Sequence, residues 1–242
     1  MQFYFIRHGQ SQNNARWVEN LSYEGRTQDP ELTPAGHEQA RHLARYLSQS
    51  PPPRSLPVPE WNPQNVCGFE ITHLYCSLMV RAVATGTIVA QDLGLPLVAW
   101  LDLHETGGIL EIDEETEERV GRPGKNRAFF ETHYPDLILP EDLGEEGWWN
   151  RPPEEYEQRP VRARRVLDKL LDRHGNSDDR VAVISHGAFF GYLMSAILDL
   201  PTMPPPWFGL SNTGIARFDF HEERLMISYV NNTFHLPRGL VT

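Results

Sequence analysis

Three segments of this chain repeat one pattern: a short run of apolar residues, a polar cluster, then a stretch with helical spacing. Phe3-Tyr4-Phe5-Ile6 leads into Arg7-His8-Gly9. Residues 71–75 lead into Cys76-Ser77, with Arg81 a turn into the next helix. Val181-Ala182-Val183-Ile184 leads into Ser185-His186-Gly187. A strand that is apolar at every position is buried on both faces, and such strands alternating with helices form parallel sheets. The pattern therefore predicts an α/β fold, a three-layer α/β/α sandwich around a mostly parallel central sheet. Residues 213–219 and 224–230 read as a terminal antiparallel hairpin, which places an antiparallel strand at one edge of that sheet.

The helices are marked by their ends. Thr33 is suited to cap a helix that opens at Pro34, where a missing N–H costs nothing, and runs to about residue 47. The proline-rich, polar residues 51–65 predict a surface excursion. A second helix covers residues 80–92 and ends at Gly94; a third covers 156–173 and ends at His174-Gly175. A fourth, over 189–198, is apolar nearly all round and is therefore expected to be buried. Between Gly107 and Glu155 the alternation is lost: an acidic run over 111–118, then Arg119, Arg122, Lys125 and Arg127, then Phe129, Phe130, Trp148 and Trp149. This reads as a cap-like insertion, 107–155, over the carboxyl end of the sheet within a single domain spanning residues 1–242.

Composition narrows the function classes. The hydrophobic content is 40 %, and no apolar run reaches the ~20 residues that span a bilayer. The N-terminus reads straight into a strand, without the basic start and cleavage site of a signal peptide, so a cytoplasmic location is expected. The net charge of −11 argues against nucleic-acid and anionic-membrane partners, which require positive potential. A small anionic substrate remains compatible, because two or three arginines in a pocket act at short range. Cys67 and Cys76 make neither a disulfide framework nor a zinc-ligand spacing.

The polar clusters all follow strand carboxyl ends, where open α/β sheets collect their ligands. A histidine there beside Gly9 suits nucleophilic attack on phosphorus, since neutral imidazole attacks and glycine lets a phosphate approach the backbone. Arg7 and Arg81 are planar forks able to grip phosphate oxygens, and His186 adds a donor. The helix beginning near Gly187 would add backbone N–H groups. A leaving alkoxide needs a proton, for which Glu105 is the candidate, ahead of the flexible Gly107-Gly108 pair. His37, Glu38 and His42 are a weak echo of a zinc-protease motif, but histidines five apart do not share a helix face.

Taken in order, these residues resemble the histidine phosphatase superfamily, also called the phosphoglycerate-mutase-like family. The resemblance runs through Phe5-Ile6-Arg7-His8-Gly9-Gln10-Ser11 with Asn14, and Leu32-Thr33-Pro34-Ala35-Gly36-His37-Glu38-Gln39-Ala40. It continues through Tyr75-Cys76-Ser77-Leu78-Met79-Val80-Arg81-Ala82, Leu103-His104-Glu105, Ile184-Ser185-His186-Gly187, Ser211-Asn212-Thr213 and His235-Leu236. It implies His8 as phospho-acceptor, a phosphate pocket of Arg7, Asn14, Arg81 and His186, with Gln10 and Gly187 beside it, Glu105 as proton donor, and neither metal nor cofactor. Gln10 stands where the family more often has Glu, and Leu78-Met79 where Pro-Leu is usual; neither change removes a catalytic group.

Three functions are weighed. A phosphomonoesterase acting on a small phosphorylated metabolite leads. A phosphoglycerate-type mutase is second: cofactor-dependent mutases of the family carry an Arg-His-Tyr-Gly segment where this chain has Thr106-Gly107-Gly108. A non-catalytic scaffold or phospholigand-binding module would be expected to lack His8 or Glu105, and both are present. The oligomeric state is not legible in the sequence.

Overall fold

The computed structural model describes residues 1–21, 25–49, 62–113, 116, 118–201, 207–222 and 224–242. Its elements, in chain order, are β1 (Gln2–Arg7), α1 (Gln12–Asn20), α2 (Pro34–Leu47), β2 (His73–Cys76), α3 (Val80–Leu93), β3 (Leu97–Ala99), β4 (Leu110–Ile112), β5 (Arg119–Gly121), α4 (Arg127–His133), β6 (Leu137–Ile138), α5 (Gln158–His174), β7 (Arg180–Ser185), α6 (Gly187–Ile197), β8 (Ile215–Phe220) and β9 (Leu225–Asn232). Seven strands form the main sheet in the order β6-β3-β2-β7-β1-β8-β9. The first five are mutually parallel, and β8 and β9 add the antiparallel hairpin at one edge.

Successive side chains of a strand point to opposite faces, and here the two faces feed two cores. Tyr4, Ile6, Leu74, Cys76, Ala182 and Ile184 pack with Leu43, Leu47, Val83 and Val89 of α2 and α3. Phe3, Phe5, Tyr75, Val181 and Val183 pack with Val166, Leu170, Phe190 and Leu193 of α5 and α6. This is the three-layer sandwich that fully apolar strands require.

The helix ends follow their capping chemistry. Thr33 Oγ1 accepts the Gly36 N–H at 3.0 Å to open α2, and Gly94 closes α3 in the left-handed region. Several boundaries differ from the sequence reading. β2 begins at His73 rather than residue 71, and Arg81 is the second residue of α3 rather than a turn inside it. α6 starts at Gly187 and α5 at Gln158, each two residues from the expected start. Residues 101–103 form a single 3-10 turn, Leu101–Leu103. Of the expected surface excursion, 51–61 lies outside the described residues, while Asn65 is buried and hydrogen-bonded to Tyr4 Oη, Arg217 and Tyr229.

The stretch 107–155 has structure that its composition does not announce. β4 and β5 make a separate two-stranded sheet, and β6 joins the main sheet beside β3. Trp148 and Trp149 are buried against the core and His104. Three of the four basic residues are occupied locally: Arg122 pairs with Glu111 at 2.8 Å, Arg127 donates to the Leu143 and Pro140 carbonyls, and Lys125 lies over the Phe129 ring. Among the described residues no helix is long and apolar enough to cross a membrane.

Candidate active site

Three carboxyl ends meet because β1, β7 and β2 are neighbours in the sheet. His8 follows β1, His186 follows β7, and Ser77 and Arg81 follow β2. His8 is 3 % exposed, and its ring centroid lies 5.1 Å from that of His186. Its Nδ1–H donates to the Gly9 carbonyl at 2.6 Å, because a carbonyl can only accept. Its Nε2 accepts the Arg81 Nε–H at 3.1 Å and therefore holds the lone pair. Burial, reinforced by Arg81 and Arg7, holds the His8 pKa well below the usual imidazole value. The ring is thus neutral, with its nucleophilic nitrogen against a guanidinium.

The backbone around His8 is held from four sides. Gly9 N–H donates to Thr85 Oγ1 at 3.0 Å, and Thr85 in turn donates to the Arg81 carbonyl at 2.7 Å. Asn212 Nδ2 donates to the His8 carbonyl at 3.0 Å, and Thr213 N–H donates to the Arg7 carbonyl at the same distance. Gln39 Oε1 accepts the Gln10 N–H at 2.7 Å. Gly9, read as an opening for phosphate, packs instead against the backbone of Gly36.

Arg7 donates through one terminal nitrogen to the Leu210 carbonyl at 2.7 Å, while its Nε is buried with no protein partner among the described residues. His186 Nε2 lies 2.8 Å from Ser77 Oγ, and its Nδ1 is likewise buried and unpaired. Burial, with Arg81 and His8 adding to it, holds the His186 pKa well below the ordinary value. Gly187, at the start of α6, lies beside Arg7: a Cβ there would make van der Waals contact with Arg7 Nε at 3.4 Å.

Glu105 lies at the amino end of α6. Its carboxylate accepts the N–H groups of Ala188 at 3.1 Å, Phe189 at 2.8 Å and Thr106 at 2.8 Å. The amino end of α6, expected to face phosphate, thus holds this carboxylate, as an anion is favoured there. Glu105 is nonetheless close to the site, since its charge acts on both Arg7 and Arg81. The Gly107-Gly108 turn serves packing: a Cβ on Gly108 would lie 2.1 Å from the Trp149 ring.

Asn14 and Gln10 serve the local scaffold. Asn14 Oδ1 accepts from Ser11 in a reciprocal cap of α1 and from Asn212 Nδ2 at 3.2 Å. Gln10 Oε1 accepts the Thr33 hydroxyl at 2.7 Å, tying the loop after β1 to the start of α2.

Sequence reasoning missed Asp29. Its Oδ1 accepts the Val80 N–H at 3.1 Å and stands 3.6 Å from Arg81, whose fork it helps to orient. Burial pushes its pKa up to about 6 against the opposing pull of Arg81. Thr85 was missed as well, although its place four residues after Arg81, one helical turn on, was a usable signal.

The model of the histidine phosphatase superfamily (branch 1) matches residues 3–56 and 63–233. A probable phosphoglycerate mutase, GpmB, of Cronobacter sakazakii is 27 % identical over 232 residues, covering 94 % of this chain and 89 % of its own. Its counterpart in Salmonella arizonae is 28 % identical over 233 residues, with the same coverage. Among solved structures, phosphoserine phosphatase from Entamoeba histolytica in complex with 3-phosphoglyceric acid aligns with a TM-score of 0.58 at 20 % identity, over 98 % of this chain and 99 % of that one. A mycobacterial glucosyl-3-phosphoglycerate phosphatase aligns with a TM-score of 0.59 at 18 % identity, over 96 % and 99 %.

Proposed function

The chain belongs to the histidine phosphatase superfamily, and from that premise we propose that it is a metal-independent phosphomonoesterase acting on a small phosphorylated metabolite through a phosphohistidine at His8. One observation carries the reading. A neutral imidazole presents its lone pair beside Arg81, next to two buried groups, Arg7 Nε and His186 Nδ1, that lack protein partners. Buried polar groups are costly unless hydrogen-bonded, and phosphoryl oxygens supply acceptors for both.

The reaction follows from these positions. His8 Nε2 forms a bond to phosphorus as the P–O bond to the alcohol breaks, and the electron pair leaves on that oxygen. Arg81 exchanges its bond to Nε2 for one to a phosphoryl oxygen, and with Arg7 it offsets the charge of the transition state. Glu105 gives a proton to the leaving oxygen and is left as the carboxylate that its three N–H donors hold. As a carboxylate it then takes a proton from the water that attacks phosphorus, breaking the P–N bond and restoring His8. The cap role of residues 107–155 belongs to the same proposal, since β4 follows Glu105 closely and the two tryptophans pack on His104.

The names of the GpmB relatives favour a mutase as the second reading. The two separate on one measurement with 3-phosphoglycerate, phosphoserine and a panel of other phosphomonoesters in the presence of a chelator. A phosphatase releases phosphate, and His8→Ala reduces that release by several orders of magnitude. Isomer conversion with little free phosphate would establish the mutase, and release that survives His8→Ala would remove the nucleophile assignment.

A further inference from the structure

At the amino end of the sheet, opposite His8, three potential ligands converge from three elements. His73 opens β2, His174 closes α5, and Asp179 immediately precedes β7. They meet because β2 and β7 are parallel neighbours, with His73 in register with Val181. One ligand atom from each lies within 4.8 Å of the others. Asp179 Oδ2 is 2.8 Å from His174 Nδ1, and Asp179 Oδ1 is 3.8 Å from His73 Nδ1. Tetrahedral zinc with bonds of about 2.0–2.1 Å holds its ligand atoms roughly 3.3 Å apart, so the present separations bracket that spacing.

We propose that His73, His174 and Asp179 form a zinc-binding site with an open fourth position for water. Two imidazoles and one carboxylate are a donor set that suits zinc. The side chains of His73 and Asp179 are 41 % and 29 % exposed, which gives the ion a path, while His174 is 5 % exposed and anchors the site. His174 also has an outer partner: its Nε2 lies 3.0 Å from Tyr75 Oη. A ligating histidine needs its other nitrogen protonated and bonded, and Tyr75 meets that need. Without an ion, His174 Nδ1–H donates to Asp179. On binding, that nitrogen supplies its lone pair to zinc, the imidazole proton resides on Nε2, and the tyrosine oxygen accepts it. His73 Nδ1 exchanges its contact with Thr72 Oγ1, 2.9 Å away, for the metal, and Thr72 retains the Arg180 backbone as partner.

The site lies at the other end of the strands from the phosphate chemistry and stands independently of the proposed reaction. Zinc there would tie the last residue of α5 to the starts of two central strands and stabilise the folded chain by linkage. The test titrates zinc, and cobalt as a visible probe, into the metal-free full chain and into His73→Ala. His73 is the most exposed ligand, so this variant is expected to fold, and circular dichroism checks that it does. The wild type is expected to bind one equivalent, to raise its unfolding temperature with zinc, and to show the intense visible bands of four-coordinate cobalt. His73→Ala should bind at least tenfold more weakly and lose both the bands and the zinc-dependent shift. Absence of a one-equivalent site in the wild type, or its survival in folded His73→Ala, overturns the assignment.

Discussion

A Cβ on Gly36 would stand 2.1 Å from the Gln10 carbonyl oxygen, and one on Gly9 would stand 2.6 Å from the Gly36 carbonyl oxygen. The loop that carries His8 and the first turn of α2 are therefore in backbone contact. Gly36 is the third residue of α2, where helix propensity alone favours alanine by about 1 kcal/mol. Overpacking against a backbone atom opposes that gain and is larger, so Gly36→Ala is expected to destabilise the protein by about 1–3 kcal/mol. Gln10 is two residues from His8, so phosphate release should fall in the same variant. Urea unfolding and a turnover assay read the two effects, and a variant more stable than wild type would contradict the steric argument. At this scale the candidate site residues stood out in the sequence, because Arg7 ends an apolar strand and His8 and His186 each follow one. The sequence did not disclose why Gly9 is glycine, or that Asp29 supports Arg81. Those are contacts between segments distant in the chain, with no local pattern to mark them.

The segment that bears Glu105 is held by one ion pair between elements. Arg162 of α5 donates from Nε and one terminal nitrogen to Glu154 at 2.5 Å and 2.8 Å. Its other terminal nitrogen donates to the carbonyls of Asp102 and His104, at 2.7 Å and 2.9 Å. Glu154 in turn bonds both the N–H and the carbonyl of Gly107. Backbone on both sides of Glu105 is thus fastened to α5 and the residues before it, and Ser185 Oγ adds a bond to the Leu103 carbonyl at 2.7 Å. Arg162 and Glu154 are 3 % and 9 % exposed, so removing one partner strands the other in the interior. Arg162→Met is expected to cost about 3–5 kcal/mol in urea unfolding. Below its unfolding transition the variant should also turn over more slowly at saturating substrate, since Glu105, the proposed proton donor, is no longer held. Unchanged stability and unchanged kcat would show that the pair does not position the loop. None of this was legible beforehand, because the pair joins a loop to a helix with no helical spacing between the partners. Strand length made the same division: β1 and β7, six residues each, were evident as apolar runs. β3 and β6, with three and two residues, are too short to show any period.

Across the whole molecule, the buried histidines set a dependence on acid. Burial first, and then neighbouring guanidinium groups, hold His8, His104 and His186 well below the ordinary value of 6.5. His235 is held at about 4, by burial and by His42. The unfolded chain takes up protons at these four positions as the pH falls through about 6.5, and the folded chain does not. Where the unfolded state binds more protons, stability rises with pH, so this contribution is whole above pH 6.5 and is lost on acidification. Asp29 has the opposite sign: folded, it takes its proton at about 6, ahead of its ordinary 3.8, and so offsets one histidine between those values. The depressed histidines outnumber Asp29, so the net effect is a stability that falls as the pH drops below about 6.5. Urea unfolding at successive pH values is expected to show stability falling between pH 6 and pH 5, and His235→Gln, away from His8, should flatten that fall by about 1 kcal/mol per unit. A stability that stays level across that interval would mean the histidines protonate in place. The ten histidines can be counted in the sequence, but their common response to acid depends on which of them the two cores and the site enclose. Because burial keeps His8 neutral in the fold below its ordinary value, activity lost in weak acid should follow the unfolding curve rather than a titration of His8, the proposed nucleophile.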